Sequence, residues 1–213
     1  FVAPARGYLS GMSKRYRAFR RERQGEGTWY RPEAFDHREV HPLELDVVLL
    51  ATLRAGNQLL ERRNIQRAID SAQWAPLKTV MGCYRHQILV DEATDFSPLQ
   101  LACMNALAHP RTRSVFACGD FNQRLTTWGV RSPEALSWSL PNVEVREITV
   151  AYRQSRQLND LAKDIIRAVG GTVSNVTLPA EVDNDVAAPV LLENGSTEET
   201  VKWLADRIVD IER

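Results

Sequence analysis

Two short apolar runs, each ending in acidic residues, place the strongest constraint on how this chain folds. The first run extends from Gln87 to Asp91 and is stopped by Asp91-Glu92. The second extends from Ser114 to Cys118 and is stopped by Gly119-Asp120. Both runs are too short for a helix and are rich in residues that favour strands, so they predict two buried β-strands.

A helix with clear start and stop signals separates the two runs. Ser97 is suited to cap it, Pro98 to occupy its first turn and Gln100 to complete a capping box, while His109-Pro110 ends it. Leu99, Cys103, Ala106 and Leu107 are predicted to line its inner face. A strand, a helix and a strand in this order predict a right-handed crossover with two parallel strands.

The acidic residues at the strand ends indicate nucleotide chemistry. In parallel sheets, ligands bind beyond the carboxyl ends of the strands, where Asp91, Glu92 and Asp120 are expected. One carboxylate there can hold Mg²⁺, and a neighbouring carboxylate can orient or deprotonate an attacking water. An acidic pair can also simply end a strand in solvent. Because Asp95 and a second strand ending in Gly-Asp-x-x-Gln follow, the sequence favours the catalytic interpretation.

Three stretches resemble motifs of one helicase family. ILVDEATDFSPLQ resembles the Walker B motif of superfamily 1 helicases of the UvrD/Rep type, CGDFNQRLTTWG is similar to their motif III, and ITVAYRQSRQLNDLA is similar to their motif IV. The stretches follow the family order and span residues 86 to 166. The resemblance implies a pair of RecA-like α/β domains with ATP and Mg²⁺ as cofactors. It also implies ATP-driven movement along single-stranded DNA.

The resemblance also implies roles for individual residues. Position by position, it assigns Mg²⁺ ligation to Asp91, the catalytic base to Glu92, sensing of the γ-phosphate to Gln123, adenine stacking to Tyr152, a γ-phosphate contact to Arg153 and stacking on a DNA base to Trp128. Asp120 is expected to lie at the nucleotide.

The chain departs from the family pattern at several positions. Thr94 stands where the family usually has Gln, Phe121-Asn122 where it has Asp-Asp or similar, Thr126-Thr127 where it has Tyr-Arg, and Ala151 where it has Asn. The missing tyrosine removes one platform for base stacking, which is worth about 1–3 kcal/mol per base. The departures predict a divergent member of the family.

The phosphate-binding loop is absent from the sequence. That loop needs Gly-x-x-x-x-Gly-Lys-Ser/Thr, and none of the 11 glycines is followed by lysine. The family places this loop upstream of the stretches found here and motifs V and VI downstream, and the chain begins at Phe1 without an initiating Met. We therefore expect an internal piece of a longer protein that is a poor ATPase by itself.

Charge and cysteine content add three expectations. The 213 residues carry no net charge, so any attraction to nucleic acid must be local. Residues 8–24 read as an amphipathic helix in which Arg15 and Arg20 are predicted to contact the phosphate backbone of single-stranded DNA, although a solvated basic face has the same pattern. The three cysteines indicate reduced packing in the cytoplasm, and no apolar run has membrane-spanning length.

The resemblance implies three parts in an α/β fold. Residues 1–80 would be a mainly helical, 1B-like subdomain and connector inserted in the first RecA-like domain, 81–149 the carboxyl-terminal part of that domain, and 150–213 the start of a second RecA-like domain. Within them the sequence predicts a helical region over 43–72 broken at Gly56, a strand over 143–150, a helix over 155–169, a strand at 190–192 and a last helix capped by Ser196 and Glu199.

Two functions of different classes follow from these observations. The first is a fragment of an ATP-dependent DNA helicase or translocase, which can act with other protein subunits. The alternative is a degenerate module that keeps the fold without hydrolysis and binds nucleic acid or a protein partner. A metal-dependent nuclease is a third reading, which lacks a catalytic lysine beside the carboxylates.

Overall fold

The chain is a mixed α/β protein whose single described sheet has two parallel strands. A computed structural model describes residues 5–30, 38–123, 125–148, 150, 155–171, 173, 189–190 and 195–211. It divides into two compact units, Phe1–Val145 and Arg146–Arg213. The first unit combines the segment predicted as a helical subdomain with the strand–helix–strand segment.

Helices dominate the first half of the first unit. After a π-helical turn at Arg6–Ser10, the elements are α1 (Met12–Gly25), α2 (Leu45–Leu60), α3 (Arg63–Arg67) and α4 (Ala75–Met81), with 3₁₀ turns at Pro42–Glu44 and Ala72–Trp74. The second half contains β1 (Gln87–Val90), a 3₁₀ turn at Ala93–Asp95, α5 (Pro98–Ala106), β2 (Ser114–Ala117) and α6 (Pro133–Ser139).

The predicted strand–helix–strand arrangement with two parallel strands is present. β1 pairs with β2 in parallel, with Gln87 opposite Ser114 and Val90 opposite Ala117. The capping box at the start of α5 is complete, because Gln100 N donates to Ser97 Oγ at 3.2 Å and Ser97 N donates to Gln100 Oε1 at 2.9 Å.

Helix α5 separates two apolar clusters and so fixes the position of the sheet. Ala102, Cys103 and Ala106 pack into a cluster with α2 and α4, whereas Leu101 packs with Val90, beside β1. The predicted inner face is confirmed, because Cys103 and Ala106 are buried in the cluster with α2 and α4 and Leu99 and Leu107 pack against it. Leu101 and Ala102, which the pattern missed, are the most deeply buried residues of the helix. These contacts hold the carboxyl end of β1 against the helical half of the unit.

The strands are not buried on both faces, which corrects the sequence prediction. Leu89 and Phe116 lie opposite each other in the register and are 69% and 58% exposed. The helix α5 side of the sheet is covered, and apolar strand composition alone does not distinguish a sheet covered on one face from one covered on both.

Gly56 does not break the helix, which is a second correction. Helix α2 runs unbroken through it from Leu45 to Leu60. A Cβ atom at Gly56 would lie 3.0 Å from Tyr84 Oη and 3.1 Å from Val80 Cγ1. Glycine is therefore needed here for close packing, and the loss of helix propensity is outweighed by tertiary contacts.

The strand predicted over 143–150 is absent from the described residues of that stretch. Residues 143–148 form no β-strand, since a strand requires a paired neighbour and the described sheet ends at two strands.

The described residues of the second unit form two helices. They are α7 (Arg156–Ala168) and α8 (Thr197–Ile211), and both match the predicted segments. Ser155 Oγ accepts a hydrogen bond from Leu158 N, and Gly170, with φ +74°, follows the end of α7. Ser196 and Glu199 form the predicted reciprocal pair of hydrogen bonds before α8. The strand predicted at 190–192 includes residues outside the described part of the chain.

Candidate active site

The two strands bring their acidic ends together. Cys118 N donates to Val90 O at 2.9 Å, and Ala93 N donates to Cys118 O at 2.8 Å. The pairing of the strands thus continues beyond the sheet and joins the turn after β1 to the segment after β2. Asp91 and Glu92 follow one strand and Asp120 follows the other, as the sequence predicts for a ligand site at this edge of a parallel sheet.

The turn after β1 holds Glu92 in an unusual backbone conformation. Its φ and ψ are 50° and 45°, in the left-handed region, which costs a residue other than glycine about 1–3 kcal/mol. Ala93 and Thr94, which come next, are buried and anchor the turn, while Asp91 and Glu92 are exposed. Glu92 N donates to Asp91 Oδ1 at 3.0 Å. The turn therefore presents two carboxylates to solvent from a fixed base.

Gly119 allows the two segments to approach each other closely. A Cβ atom there would lie 3.0 Å from both Ala93 N and Thr94 N. Thr94 Oγ1 donates to the backbone oxygen of Asp120 at 3.0 Å. Thr94, which departs from the family pattern, therefore ties the segment after β2 to the turn after β1. Sequence reasoning treated this threonine only as a loss, although the glycine opposite it was a signal of close packing.

Asp120 organises the segment that carries Gln123. Its Oδ1 accepts a hydrogen bond from Asn122 N at 2.8 Å, and its Oδ2 accepts one from Gln123 Nε2 at 2.9 Å. In this structure Asp120 is therefore a residue that positions Gln123. The sequence predicts that Asp120 and Gln123 both lie at the nucleotide. The hydrogen bond between them explains why they are three positions apart.

Cys118 is a site residue that sequence reasoning missed. Its Sγ donates to Asp91 Oδ1 at 3.1 Å. The hydrogen bond to Asp91 raises the pKa of the Cys118 thiol, and slight desolvation and the negative charge of Asp91 add to the increase. The thiol therefore stays protonated and acts as a donor that orients the carboxylate. Its position next to Gly119-Asp120 was the available signal.

Asp91 fits a role as one ligand of Mg²⁺. Among the described residues, no group of three or more His, Cys, Asp or Glu side chains is placed to hold a metal ion. Mg²⁺ at nucleotide sites takes one or two protein carboxylates and fills its other positions with water and phosphate oxygens. An exposed carboxylate at a strand end meets that requirement without a protein cage.

A second segment, residues 125–130, is attached to the turn after β1. Leu125 N donates to Asp95 Oδ1 at 2.7 Å, Thr126 Oγ1 donates to Asp95 O at 2.8 Å, and Val130 N donates to Phe96 O at 3.1 Å. Between these contacts lies Trp128, which is 61% exposed. Trp128, the residue predicted to stack on a DNA base, is therefore at the surface. Its segment is joined to the predicted catalytic turn by hydrogen bonds.

Arg20 is not available to nucleic acid, which corrects the sequence prediction. Its side chain is 1% exposed and its Nη1 lies 2.7 Å from Glu44 Oε2, while its Nη2 donates to Glu39 O at 2.9 Å. Arg20 and Glu44 form a buried ion pair that joins α1 to the segment before α2. Charge patterning cannot reveal this, because the acidic partner lies 24 residues away in the sequence.

Arg15 remains at the surface but is turned back onto its own chain. Its guanidinium donates to the carbonyl oxygens of Gly7 and Tyr8 and lies 5.3 Å from the centroid of the Tyr8 ring. These contacts occupy part of its hydrogen-bonding capacity.

A cleft on the same helix gathers other basic side chains. It has a volume of about 310 Å³ and is lined by Lys14, Arg17, Arg21 and Arg38. Arg17 Nη1 donates to Arg38 O at 2.7 Å, which brings the two segments together. The sequence predicted a basic surface on this helix, and the structure identifies which of its charges share a cleft. The basic residues Arg62, Arg63 and Arg67 around α3 are exposed, as expected of solvated charges.

Tyr152 and Arg153, with Ala151, lie outside the described residues.

No protein-family model matches the chain, and no curated protein matches it. Among the described residues, no helix is both long and apolar enough to cross a membrane.

Proposed function

We propose that this chain is part of an ATP-dependent DNA helicase or translocase of the superfamily 1, UvrD/Rep type, with a RecA-like fold. The observation that carries the proposal is the convergence of Asp91 and Glu92 with the Asp120–Gln123 segment at the carboxyl ends of two parallel strands. Phosphoryl transfer depends mainly on the positioning of charges around the phosphate and on the positioning of an attacking water. The carboxylates at this edge of the sheet are suited to both tasks.

The proposed chemistry divides the work among a few side chains. Asp91, oriented by the Cys118 thiol, would hold Mg²⁺, which would supply positive charge to the phosphates. Glu92 orients the attacking water and accepts its proton. Gln123, positioned by Asp120, senses the γ-phosphate. Arg153 and Tyr152 contribute the γ-phosphate contact and the adenine platform.

Two exposed features support a nucleic-acid partner. Trp128 offers an aromatic face on which a base of single-stranded DNA can stack. The cleft lined by Lys14, Arg17, Arg21 and Arg38 gathers four basic side chains, which gives the phosphate backbone a local site of contact on a chain without net charge. In this proposal the cleft takes over the role that the sequence assigned to Arg20.

Substitution of Glu92 by glutamine tests the proposal in the gene product that contains this sequence. Glutamine preserves the size of the side chain but cannot accept the proton from water. We expect the ATPase rate stimulated by single-stranded DNA to fall about 100- to 10,000-fold, because general-base catalysis contributes that much, while nucleotide binding is retained. Glu61→Gln is the matched control, because Glu61 lies in the same unit and is exposed, where it pairs with Arg113 at the surface.

The two functional classes give different results in this experiment. An active Glu92→Gln enzyme would refute the assignment of the catalytic base. If the unmodified gene product binds DNA but does not hydrolyse ATP, the non-hydrolysing module is the correct class, because Asp91, Glu92 and Gln123 then have no reaction to serve.

A further inference from the structure

The segment that carries Trp128 is fixed to the turn after β1 mainly at one acidic residue. Asp95 accepts two of the hydrogen bonds that join them, one at its carboxylate from Leu125 N at 2.7 Å and one at its backbone oxygen from Thr126 Oγ1 at 2.8 Å. Asp95 N in turn donates to Glu92 O at 2.9 Å. A short hydrogen-bonded path therefore runs from Glu92 through Asp95 to the Trp128 segment.

Apolar packing does not explain the position of the near end of this segment. Leu125 is 88% exposed, so its hydrogen bond to the Asp95 carboxylate is made at the surface without support from a buried side chain. The far end is different, because Val130 is 1% exposed and belongs to the cluster around Val90. Trp128 thus lies between a buried anchor and a surface anchor that Asp95 makes through its carboxylate and its backbone oxygen.

We propose that Asp95 is a positioning residue that fixes the Trp128 segment at the turn after β1, so that a base of single-stranded nucleic acid can stack on Trp128. The functional part of this inference rests on the proposed function, whereas the positioning of Trp128 does not. A hydrogen bond from a backbone N–H to a charged carboxylate is shorter and stronger than one between neutral groups, which suits a residue that must hold an exposed segment.

Fluorine NMR of the 213-residue chain labelled with 5-fluorotryptophan tests the positioning directly. The chain has five tryptophans, and a Trp128→Phe variant identifies the Trp128 resonance. We expect Asp95→Ala to shift and narrow that resonance while the other four stay in place, and Asp95→Asn, which retains an acceptor oxygen, to shift it less. Asp70→Ala is the control, because it also removes a carboxylate, one that is exposed and paired with Lys78.

Binding of oligothymidylate to the same variants tests the connection to nucleic acid. We expect Asp95→Ala to weaken binding about tenfold, the range expected for the loss of one stacked base, and to the same extent as Trp128→Ala. The double variant Asp95→Ala/Trp128→Ala should bind no more weakly than Trp128→Ala, because both changes remove the same contact. Thr126→Val, which removes only the hydroxyl bond to Asp95 O, is a milder second variant for the case in which Asp95→Ala does not fold.

The two measurements separate failure of this inference from failure of the proposed function. An unchanged Trp128 resonance in Asp95→Ala would overturn the inference, whatever the chain binds. If the Trp128 resonance shifts in Asp95→Ala but oligothymidylate binds none of the proteins, Asp95 positions Trp128 as inferred, and the nucleic-acid part of the proposed function is wrong.

Discussion

Replacement of Arg20 by alanine should destabilise the first unit far more than replacement of another arginine on the same helix. Arg20 and Glu44 are each 1% exposed and their charged atoms lie 2.7 Å apart. Alanine would leave Glu44 buried without its counter-charge and would also remove the hydrogen bond from Arg20 Nη2 to Glu39 O. Glu44 Oε2 would keep the hydrogen bond from His41 N at 3.1 Å, which does not neutralise its charge.

The size of the effect follows from burial. Removal of one partner of a buried ion pair costs about 3–5 kcal/mol, because the remaining charge has lost both water and its partner. Arg23 of the same helix pairs with Glu26 at 2.8 Å, but those side chains are 45% and 47% exposed. Exposed pairs of this kind contribute about 0–1 kcal/mol, so Arg23→Ala is the matched control.

Equilibrium unfolding in urea, followed by tryptophan fluorescence, measures the difference. Trp29 is a local reporter, because its ring lies 6.2 Å from those of Tyr16 and Phe19 on helix α1. With a urea dependence of about 2 kcal/mol per molar, we expect the midpoint to fall by roughly 1.5–2.5 M in Arg20→Ala and by less than about 0.5 M in Arg23→Ala. A double variant, R20M/E44L, should recover most of the loss, because apolar residues can replace a buried pair.

Two outcomes would refute this reasoning. Equal midpoints for Arg20→Ala and Arg23→Ala would mean that Arg20 is not buried with Glu44 in solution. The free energy of unfolding that R20M/E44L loses can also be compared with the losses of R20M alone and E44L alone. If the loss in the double variant equals their sum, the two residues do not interact.

Two more predictions concern close packing and thiol chemistry. Gly56→Ala should lower the free energy of unfolding by about 1–2 kcal/mol, because the crowding of Tyr84 and Val80 exceeds the gain of about 1 kcal/mol in helix propensity. Gly25→Ala in α1, where a Cβ meets nothing within 4 Å, should leave the free energy of unfolding unchanged or raise it by up to about 1 kcal/mol. Urea unfolding of both variants measures the difference, and equal effects of the two substitutions would contradict the prediction. Alkylation of Cys118 by iodoacetamide should begin to rise only at a higher pH than for an ordinary thiol, because its raised pKa delays formation of the reactive thiolate. Asp91→Asn should speed the reaction several-fold at pH 8 by mass spectrometry, and an unchanged rate would exclude the Asp91 carboxylate as the cause.

Local signals were sufficient for most of the elements. The capping box at Ser97 predicted the start of α5, and the pair Ser196 and Glu199 likewise predicted the start of α8, because these signals act within one helical turn. The alternation of apolar runs with acidic ends predicted β1 and β2 and their parallel pairing. The strand predicted at 143–150 failed in the described residues because strand formation depends on a neighbour that a local pattern does not specify.

Within the candidate site, the sequence determined which residues stand at the ends of the two strands, since the strand boundaries place Asp91, Glu92 and Asp120 at one edge of the sheet. Only the tertiary structure decided which side chains contact one another. The bonds from Arg20 to Glu44, from Cys118 to Asp91 and from Leu125 to Asp95 join residues 24, 27 and 30 positions apart. At such separations periodicity carries no information about partners, because contacts form only after the crossover and the helical half have packed together.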